Sequence, residues 1–240
     1  MLSTPCSLVS IFVWKLERYD LKWETHCHTI YSNRIRHRFD ALNTPREMIE
    51  AAIGRGLQGM IITDHDNVKG GLVGRKAARE YKDFQVVPGA EVSSRSGHIL
   101  AIGIEINVPK RLSVEETVER IHDLGGIAIA SHPFSSRVRP SLGEECLKTD
   151  GIEVFNSMNR GLANARAMSL AEANGRPRTA GSDSHWAKTV GNCGIICDDP
   201  LTDIGRGRTH LFGTYTGTWD MRVFNFRQLA SALSNRPIWK

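Results

Sequence analysis

Short apolar runs alternate with longer amphipathic segments along most of the chain. Among the clearest runs are residues 21–27, 59–63 and 86–92, whose length and largely apolar character predict strands. The segments between them repeat apolar residues at helical spacing. Repeated strand and helix units predict a parallel sheet, and nearly continuous apolar strands are typical of a sheet that is covered on both faces.

Two of the amphipathic segments begin with the signature of a capped helix. Thr44 is followed three residues later by Glu47, and Ser113 is followed by Glu116, which is the spacing of a capping box. Glycines end both segments, as they often do just beyond the last turn of a helix. These signals place helices between the predicted strands, where a parallel sheet requires a crossover connection.

About seven strand–helix units fit the chain, so we expect a single-domain α/β protein with a distorted (β/α)7 TIM-like barrel. An open doubly wound sheet is the alternative. No glycine-rich phosphate loop follows the first strand, which disfavours the nucleotide-binding form of that alternative. Residues 97–104 are expected to pair with residues 86–92 as a hairpin, and a late strand near residues 209–214 should precede a final helix.

Composition is ordinary for a globular protein, with 240 residues, 40% hydrophobic and 24% charged. We treat residues 1–19 as an N-terminal extension and residues 20–240 as the domain. The apolar run at residues 8–14 is far shorter than a membrane span and lacks the flanking features of a secretory signal. Five scattered cysteines predict reduced thiols and therefore a cytoplasmic protein. No apolar run approaches the ~20 residues of a membrane span, so we expect no membrane partner.

The formal net charge of +5 is a mild excess. It favours an anionic substrate over a surface dedicated to nucleic acid. Part of the excess comes from a local cluster formed by Arg34, Arg36 and Arg38, together with His37. A solvated basic loop explains this cluster as well as a binding surface does.

Metal-ligand residue types follow several of the predicted strands. In an α/β barrel the carboxyl ends of the strands open on one face, so side chains that are distant in sequence converge there. His26 and His28 are two residues apart and therefore point to the same side of a strand. The other members of the pattern are Asp64, His65, Asp66, Glu91, His98, His132, Asp183 and His185. Imidazoles combined with carboxylates suit divalent ions such as Zn, Mn and Fe.

These residues lie in an ordered series of motifs, namely His26-Cys27-His28-Thr29, Thr63-Asp64-His65-Asp66, Glu91 with His98, Ser131-His132-Pro133 and Ser182-Asp183-Ser184-His185. The series resembles the PHP superfamily, which is named for polymerase and histidinol phosphatase, and the resemblance covers residues 21–197. It implies a distorted seven-stranded barrel that holds two or three divalent ions, which would be Zn, Mn or Fe. It also implies phosphoesterase activity.

The resemblance implies three ion sites that share ligands. The first would take His26, His28, Glu91 and Asp183, the second Glu91, His98 and His132, and the third His65, His185 and one residue of the loop after His28. This chain departs from the family's Ser-Asp-Gly in that loop, because Asn33 follows Ser32 and residues 34–39 look inserted. Asp40 stands five residues before Pro45, which is the spacing that the family's Asp keeps to its own Pro, so the resemblance assigns Asp40 as the third ligand, with His37 as the competitor.

The clustered charges predict the chemistry. Divalent ions lower the pKa of a bound water toward ~7, so that water is the expected nucleophile, and Glu91 is expected to bridge two ions. The expected catalytic residues are Glu91, Asp66, Asp183 and His185. The expected substrate contacts, from their positions after predicted strands, are Arg137, Asn156, Arg160 and Lys188. Arginine suits bidentate binding of phosphate, and a solvated loop position is the alternative for each of these residues.

These expectations favour hydrolysis of a phosphoester in a small phosphorylated metabolite or nucleotide. A nuclease of the kind attached to polymerases is a second hypothesis, although this chain carries no polymerase part. A third is a non-catalytic RNA-binding subunit of the ribonuclease P type, which the basic charge permits and the near-complete ligand set disfavours. The sequence leaves open the oligomeric state and the choice among Zn, Mn and Fe.

Overall fold

The computed structural model describes residues 21–32 and 40–234. The predicted N-terminal extension and the competitor ligand His37 lie outside the described residues. The strands are β1 Leu21–Cys27, β2 Gly59–Ile62, β3 Gln85–Ser93, β4 His98–Ile102, β5 Ile127–Ala130, β6 Gly151–Asn156, β7 Arg178–Gly181, β8 Cys193–Cys197 and β9 His210–Gly213. The helices are α1 Pro45–Gly54, α2 Lys69–Ala78, α3 Val114–Asp123, α4 Ala163–Ala173, α5 Pro200–Asp203 and α6 Thr218–Ser234.

The sheet is a nearly closed barrel. Strands β1, β2 and β3 are parallel, as are β5, β6 and β7, and β4 runs antiparallel to both of its neighbours. A parallel bridge between Cys27 and Ser184 brings the ends of β1 and β7 together. The predicted single-domain, distorted α/β barrel is thereby confirmed over an open doubly wound sheet.

The predicted local elements are present as well. Thr44 and Glu47 form the capping box of α1, in which the Glu47 carboxylate accepts a hydrogen bond from the Thr44 N–H at 2.8 Å. Ser113 and Glu116 form the same arrangement at α3. The expected hairpin is β3–β4. The expected late strand is β9, which pairs with β8, and β8 in turn lies beside β1 in the sheet.

The apolar residues form layers on both sides of the sheet. Strand residues that face outward pack against α1 and α2 in one cluster and against α3 and α4 in another. A third cluster fills the barrel interior, with Trp23, Ile61, Leu100, Ile102, Ile129 and Ile195 among its members. The polar side chains of the sequence motifs occupy the carboxyl end of the same interior.

Glycines in α2 allow that helix to lie directly on the sheet. A Cβ at Gly71 would stand 2.7 Å from the Cα of Pro88, and one at Gly70 would overlap the Asp64 carboxylate. This close approach holds the loop after β2, which carries the second sequence motif, against the end of the barrel. Within the described residues, the structure contains no helix that is long and apolar enough to cross a membrane.

Candidate metal centre

The polar motifs meet at the carboxyl ends of the barrel strands. His26 and His28, which end and follow β1, are fully buried, and their Nε2 atoms lie 3.1 Å apart. Asp183, just after β7, directs its Oδ1 atom to the same point, 3.4 Å from His26 Nε2 and 3.3 Å from His28 Nε2. Three side chains from the two strands that close the barrel therefore converge on one position.

Glu91 lies at the centre of the cluster, and its Oε2 atom joins this group. Oε2 is 3.5 Å from His26 Nε2, 3.4 Å from His28 Nε2 and 3.1 Å from His65 Nδ1. Ligand atoms around one ion, with bonds of about 2.1 Å, lie roughly 3.0 Å apart in octahedral and roughly 3.4 Å apart in tetrahedral geometry. The separations of His26 and His28 from each other, from Glu91 and from Asp183 are of this size.

The other oxygen of Glu91 faces a different pair of imidazoles. Oε1 lies 2.9 Å from His98 Nδ1 and 2.9 Å from His132 Nε2, and it also accepts a hydrogen bond from the Ser131 hydroxyl at 2.9 Å. His98 is the first residue of the antiparallel strand β4, so the reversed direction of that strand delivers it to the same face. The two oxygens of one carboxylate thus address two separate sets of histidines.

A third group forms around Asp40. Its Oδ2 atom lies 3.2 Å from His185 Nε2 and 3.7 Å from His65 Nε2, and it accepts a hydrogen bond from the Ser32 hydroxyl at 2.9 Å. His185 Nδ1 lies 2.9 Å from the backbone oxygen of Asp183. Because a carbonyl only accepts, Nδ1 carries the proton and Nε2 of His185 is left as a ligand atom.

The described residues form four groups of potential ligands, and within each group the ligand atoms all lie within 4.8 Å of one another. They are His28, Asp40, His65 and His185; His26, His28 and Glu91; His26, His132 and Asp183; and His65, Glu91 and His98. All nine sequence-predicted ligands belong to at least one group. The overlap between groups means that neighbouring ions would share ligands, as the resemblance implies. The memberships differ, because Asp183 groups with His26 and His132, and His98 groups with His65 and Glu91. The division of the nine residues into three sites stays a prediction.

The imidazole and carboxylate groups of the cluster fit divalent cations. Glu91 Oε2 is buried and makes no hydrogen bond to a described residue, although three imidazole nitrogens surround it. A buried, ionised oxygen in this state needs positive charge beside it. Divalent ions held by imidazole and carboxylate ligands would supply that charge.

The pKa shifts agree with this charge distribution. Burial, followed by the charge of His185, lowers the pKa of His28 to about 4. Burial alone would lower the pKa of His26, but the carboxylates of Glu153, Asp183 and Glu91 raise it well above its usual value. The anionic cluster therefore draws positive charge onto His26, and a bound ion would take over that role once His26 loses its proton.

Backbone strain also concentrates at the cluster. His132 and Asp183 adopt φ angles of 30° and 53°, in the left-handed region that residues with side chains seldom occupy. Such conformations persist where the surroundings impose them, and they are frequent at functional sites. Here both residues are candidate metal ligands that follow a strand after one intervening residue.

Glu153 is the main supporting residue that the sequence motifs do not mark. It is fully buried in β6, and its Oε1 atom lies 2.9 Å from His26 Nδ1. Its Oε2 atom accepts hydrogen bonds from the His132 N–H at 2.8 Å and from Asn156 Nδ2 at 3.0 Å. A carboxylate on the far nitrogen of a metal-binding imidazole fixes its tautomer and orientation. The signal in the sequence is an acidic residue inside an apolar strand.

Two further buried carboxylates stabilise the loops that carry the ligands. Glu24 accepts hydrogen bonds from the backbone N–H groups of His26, Ser182 and Gly191. Asp64 accepts from the hydroxyl and the backbone N–H of Thr29, and burial raises its pKa to about 7. Neither belongs to one of the four groups.

Asp66 is directed away from the cluster. Its carboxylate accepts hydrogen bonds from the Ser93 N–H at 2.8 Å and the Ser93 hydroxyl at 3.1 Å, which ties the loop after β2 to the end of β3. It is absent from the four groups among the described residues. Its catalytic role stays a prediction, whereas its contacts are those of a residue that holds a loop in place.

The predicted substrate contacts divide into one that lines a cleft beside the cluster and three that are engaged elsewhere. Arg137 is exposed and lines a cleft together with Asp183 and His185. Asn156 is buried against Glu153 and Asn164. The guanidinium of Arg160 donates to backbone oxygens, and Lys188 forms an ion pair with Asp220 at 2.7 Å.

Comparison with known proteins identifies the family. The model of the PHP domain matches residues 24–169, and a model described as PHP-associated matches residues 161–206. The chain belongs to the PHP domain family. An uncharacterized protein of Methanocaldococcus jannaschii is 36% identical over 155 residues, which cover 62% of this chain and 90% of that protein. The error-prone DNA polymerase of Mycobacterium tuberculosis is 39% identical over 70 residues, which cover 29% of this chain and 6% of the polymerase.

Solved structures show the same fold at low identity. A candidate metal-dependent phosphoesterase from Bifidobacterium adolescentis has a TM-score of 0.62 and 19% identity, covering 85% of this chain and 100% of that one. An amidohydrolase from Chromobacterium violaceum, with bound sulfate and no metal, has a TM-score of 0.58 and 18% identity, covering 83% and 95%. Family membership and the groups that could hold ions identify this chain as a metal-dependent hydrolase.

Proposed function

We propose that this PHP-family protein hydrolyses phosphoesters of small phosphorylated compounds with the help of two or three divalent ions. One ion would be held by His26, His28, Glu91 and Asp183, a second by Glu91, His98 and His132, and a third by Asp40, His65 and His185. The observation that carries the proposal is the position of Glu91, whose two oxygens face separate sets of imidazoles.

The bound ions would supply a water of lowered pKa and would neutralise the oxygens of the phosphate. The chain's own residues prepare the site for this chemistry. Glu153 holds the His26 ring through Nδ1, so that Nε2 faces the cluster. Asp183, His185 and His98 keep 15%, 12% and 15% of their side-chain surface exposed, and the first two border the cleft together with Asp40. Substrate would therefore reach the cluster from this side.

Arg137 supports a phosphate-bearing substrate. It borders the cleft that contains Asp183 and His185, and no described carboxylate lies within ion-pair distance of it. A guanidinium in this position can donate two hydrogen bonds to phosphate oxygens. The names of the similar structures, a candidate phosphoesterase and an amidohydrolase with bound sulfate, are in keeping with an oxyanion beside such a site.

A metal analysis combined with a hydrolysis screen tests the proposal. The purified protein should contain two or three divalent ions and should hydrolyse phosphomonoesters. Activity should disappear after chelation and return with Mn or Zn. Hydrolysis that survives complete removal of metal would contradict the mechanism. Faster cleavage of oligonucleotides, with binding that weakens steeply with salt, would favour the nuclease hypothesis. RNA binding without hydrolysis or metal would favour the non-catalytic one.

A further inference from the structure

The cleft beside the candidate metal centre has two walls of different origin. Asp40, Asp183 and His185 form part of one wall, and the C-terminal helix α6 contributes Phe224, Asn225 and Gln228 to the other. Helix α6 begins at Thr218, beyond both segments that the family models match. A structural element outside the matched family segments therefore faces the expected reaction site.

Contacts at both ends of the cleft hold α6 in this position. The Gln228 amide donates a hydrogen bond to the backbone oxygen of Asp40 at 3.2 Å. The Phe224 ring lies 6.0 Å from the His185 ring, measured between centroids. Asp220 forms an ion pair with Lys188 at 2.7 Å. The wall is consequently attached to the loops that carry Asp40 and His185 rather than resting loosely over them.

The cleft is small for a ligand site. Its volume is about 160 Å³, whereas pockets for drug-sized ligands hold about 300–1,000 Å³. Phe224 lines the cleft beside His185, so its ring takes up space that a longer leaving group bound there would need. The space beside the ligands fits a phosphate with a few attached carbon and oxygen atoms better than a nucleoside.

The side chains that line the cleft limit the leaving group further. Its described carboxylates are Asp40 and Asp183, which the candidate ion groups already use, so none remains to pair with an ammonium. Asn225 is exposed and can donate and accept hydrogen bonds. Its amide matches hydroxyl groups, while Phe224 offers an apolar surface to the carbon skeleton.

We propose that α6 selects the leaving group, with Phe224 and Asn225 restricting the substrate to phosphomonoesters of small hydroxylated compounds that carry no amino group. The inference rests on the phosphoester hydrolysis proposed above. The wall that contains Asp40, Asp183 and His185 is called the metal-ligand wall, and the opposite one the α6 wall. In this arrangement hydrolysis would take place at the metal-ligand wall. Phe224 would limit the length of the leaving group, and Asn225 would bind its hydroxyls.

The test compares the metal-loaded protein with Phe224→Ala and Asn225→Ala, using glycerol phosphate, phenyl phosphate and adenosine monophosphate as probes. Phe226→Ala is the matched control, because Phe226 lies on the same helix with 71% of its surface exposed. The unaltered protein should prefer glycerol phosphate over the nucleotide. Phe224→Ala should shift the ratio of the two kcat/KM values toward the nucleotide by about 10-fold or more, because it opens the pocket.

Asn225→Ala should raise KM for glycerol phosphate by about 5- to 10-fold, the value of one neutral hydrogen bond, with little change in kcat. The KM for phenyl phosphate, whose leaving group has no other hydroxyl, should not change. Metal content should equal that of the unaltered protein in all three variants, and thermal melting should show that each variant is folded at the assay temperature. These two measurements separate a change in selection from damage to the metal centre.

Three results would overturn the inference while leaving phosphoester hydrolysis intact. The first is a preference of the unaltered protein for adenosine monophosphate, for oligonucleotides or for an aminoalkyl phosphate. The second is an equal effect of Phe224→Ala and Phe226→Ala on the ratio of kcat/KM values. The third is the same KM change for glycerol phosphate and phenyl phosphate in Asn225→Ala. Failure of the metal-loaded protein to hydrolyse any phosphoester would instead overturn the proposed function, and the inference with it.

Discussion

The two walls of the cleft differ in how firmly their side chains are fixed. Glu91, which lies behind the metal-ligand wall, is fully buried and has five imidazoles and the Ser131 hydroxyl around its two oxygens. Asn225 in the α6 wall is exposed, and Phe224 is only partly buried. The comparison shows that dense burial fixes the candidate metal ligands, whereas the helix proposed to select the substrate presents less firmly fixed side chains.

The walls also differ in their relation to the family. The ligands from His26 to His132 lie within the segment matched by the PHP domain model, and Asp183 and His185 lie within the PHP-associated segment. Helix α6 lies outside both. A shared reaction with a separate choice of substrate is the expected outcome of such a division, and changes confined to one wall can test it.

The largest effect is expected from Glu91→Gln, which removes the negative charge at the centre of the ligand cluster, behind the metal-ligand wall. Without it, five imidazoles face a neutral amide, and neighbouring ions lose their shared ligand. Hydrolysis should fall by about 10³-fold or more, and metal content should drop while the barrel stays folded. Elemental analysis, circular dichroism and steady-state kinetics measure the three quantities.

The matched control for this change is Glu145→Gln, which removes a surface carboxylate that pairs with Lys148 at 3.0 Å. It should leave turnover and metal content unaltered, because exposed ion pairs contribute little. Normal turnover together with full metal content in Glu91→Gln would contradict the shared-ligand role.

A smaller effect is expected from Glu153→Gln, which alters the support behind the metal-ligand wall. The amide can still accept a hydrogen bond from the His132 N–H, but it no longer holds His26 Nδ1 with a charge. Loss of such a partner typically weakens metal binding by about 10- to 100-fold. Competition with a chelator of known affinity measures this change directly, without reference to turnover.

Glu172→Gln is the control for this second change, since Glu172 is an exposed partner of Arg178 at 2.9 Å. It should bind metal as the unaltered protein does. An unchanged metal affinity in Glu153→Gln would show that the carboxylate fills space in the barrel without positioning His26.

The smallest effects are expected at the exposed basic residues around the cleft. Arg137→Ala should raise KM by about 10-fold with little change in kcat, because it removes one phosphate contact and no ligand. Lys188→Ala should change KM by less than about twofold, since Lys188 is already paired with Asp220. Equal effects of the two changes on steady-state kinetics would remove the distinction between them.

The sequence predicted the barrel and the positions of its polar motifs because both follow from local pattern. A ligand such as His132 directly follows an apolar strand, and the carboxyl ends of such strands meet on one face of a barrel. His98 does not fit this rule as stated. It begins β4, and it reaches the site because the hairpin after β3 reverses the strand direction.

The features that pattern does not reveal depend on side-chain direction. Glu153 alternates with outward-facing apolar neighbours in β6, and only the closed sheet shows that it points at His26. Arg160 and Lys188 follow strands as expected, yet their charged groups turn to other partners. The α6 wall has no motif, because Phe224 and Asn225 acquire their place through the packing of the last helix.

The position of the cluster at the seam of the barrel has a consequence for folding. Glu24 accepts a hydrogen bond from the N–H of Ser182, 158 residues away in sequence, and His26 and Asp183 meet just beside this contact. Joining such distant segments carries a large loop-closure entropy. An ion coordinated by His26 and Asp183 would cross-link these two segments. It would therefore slow the opening of the barrel in addition to serving the reaction.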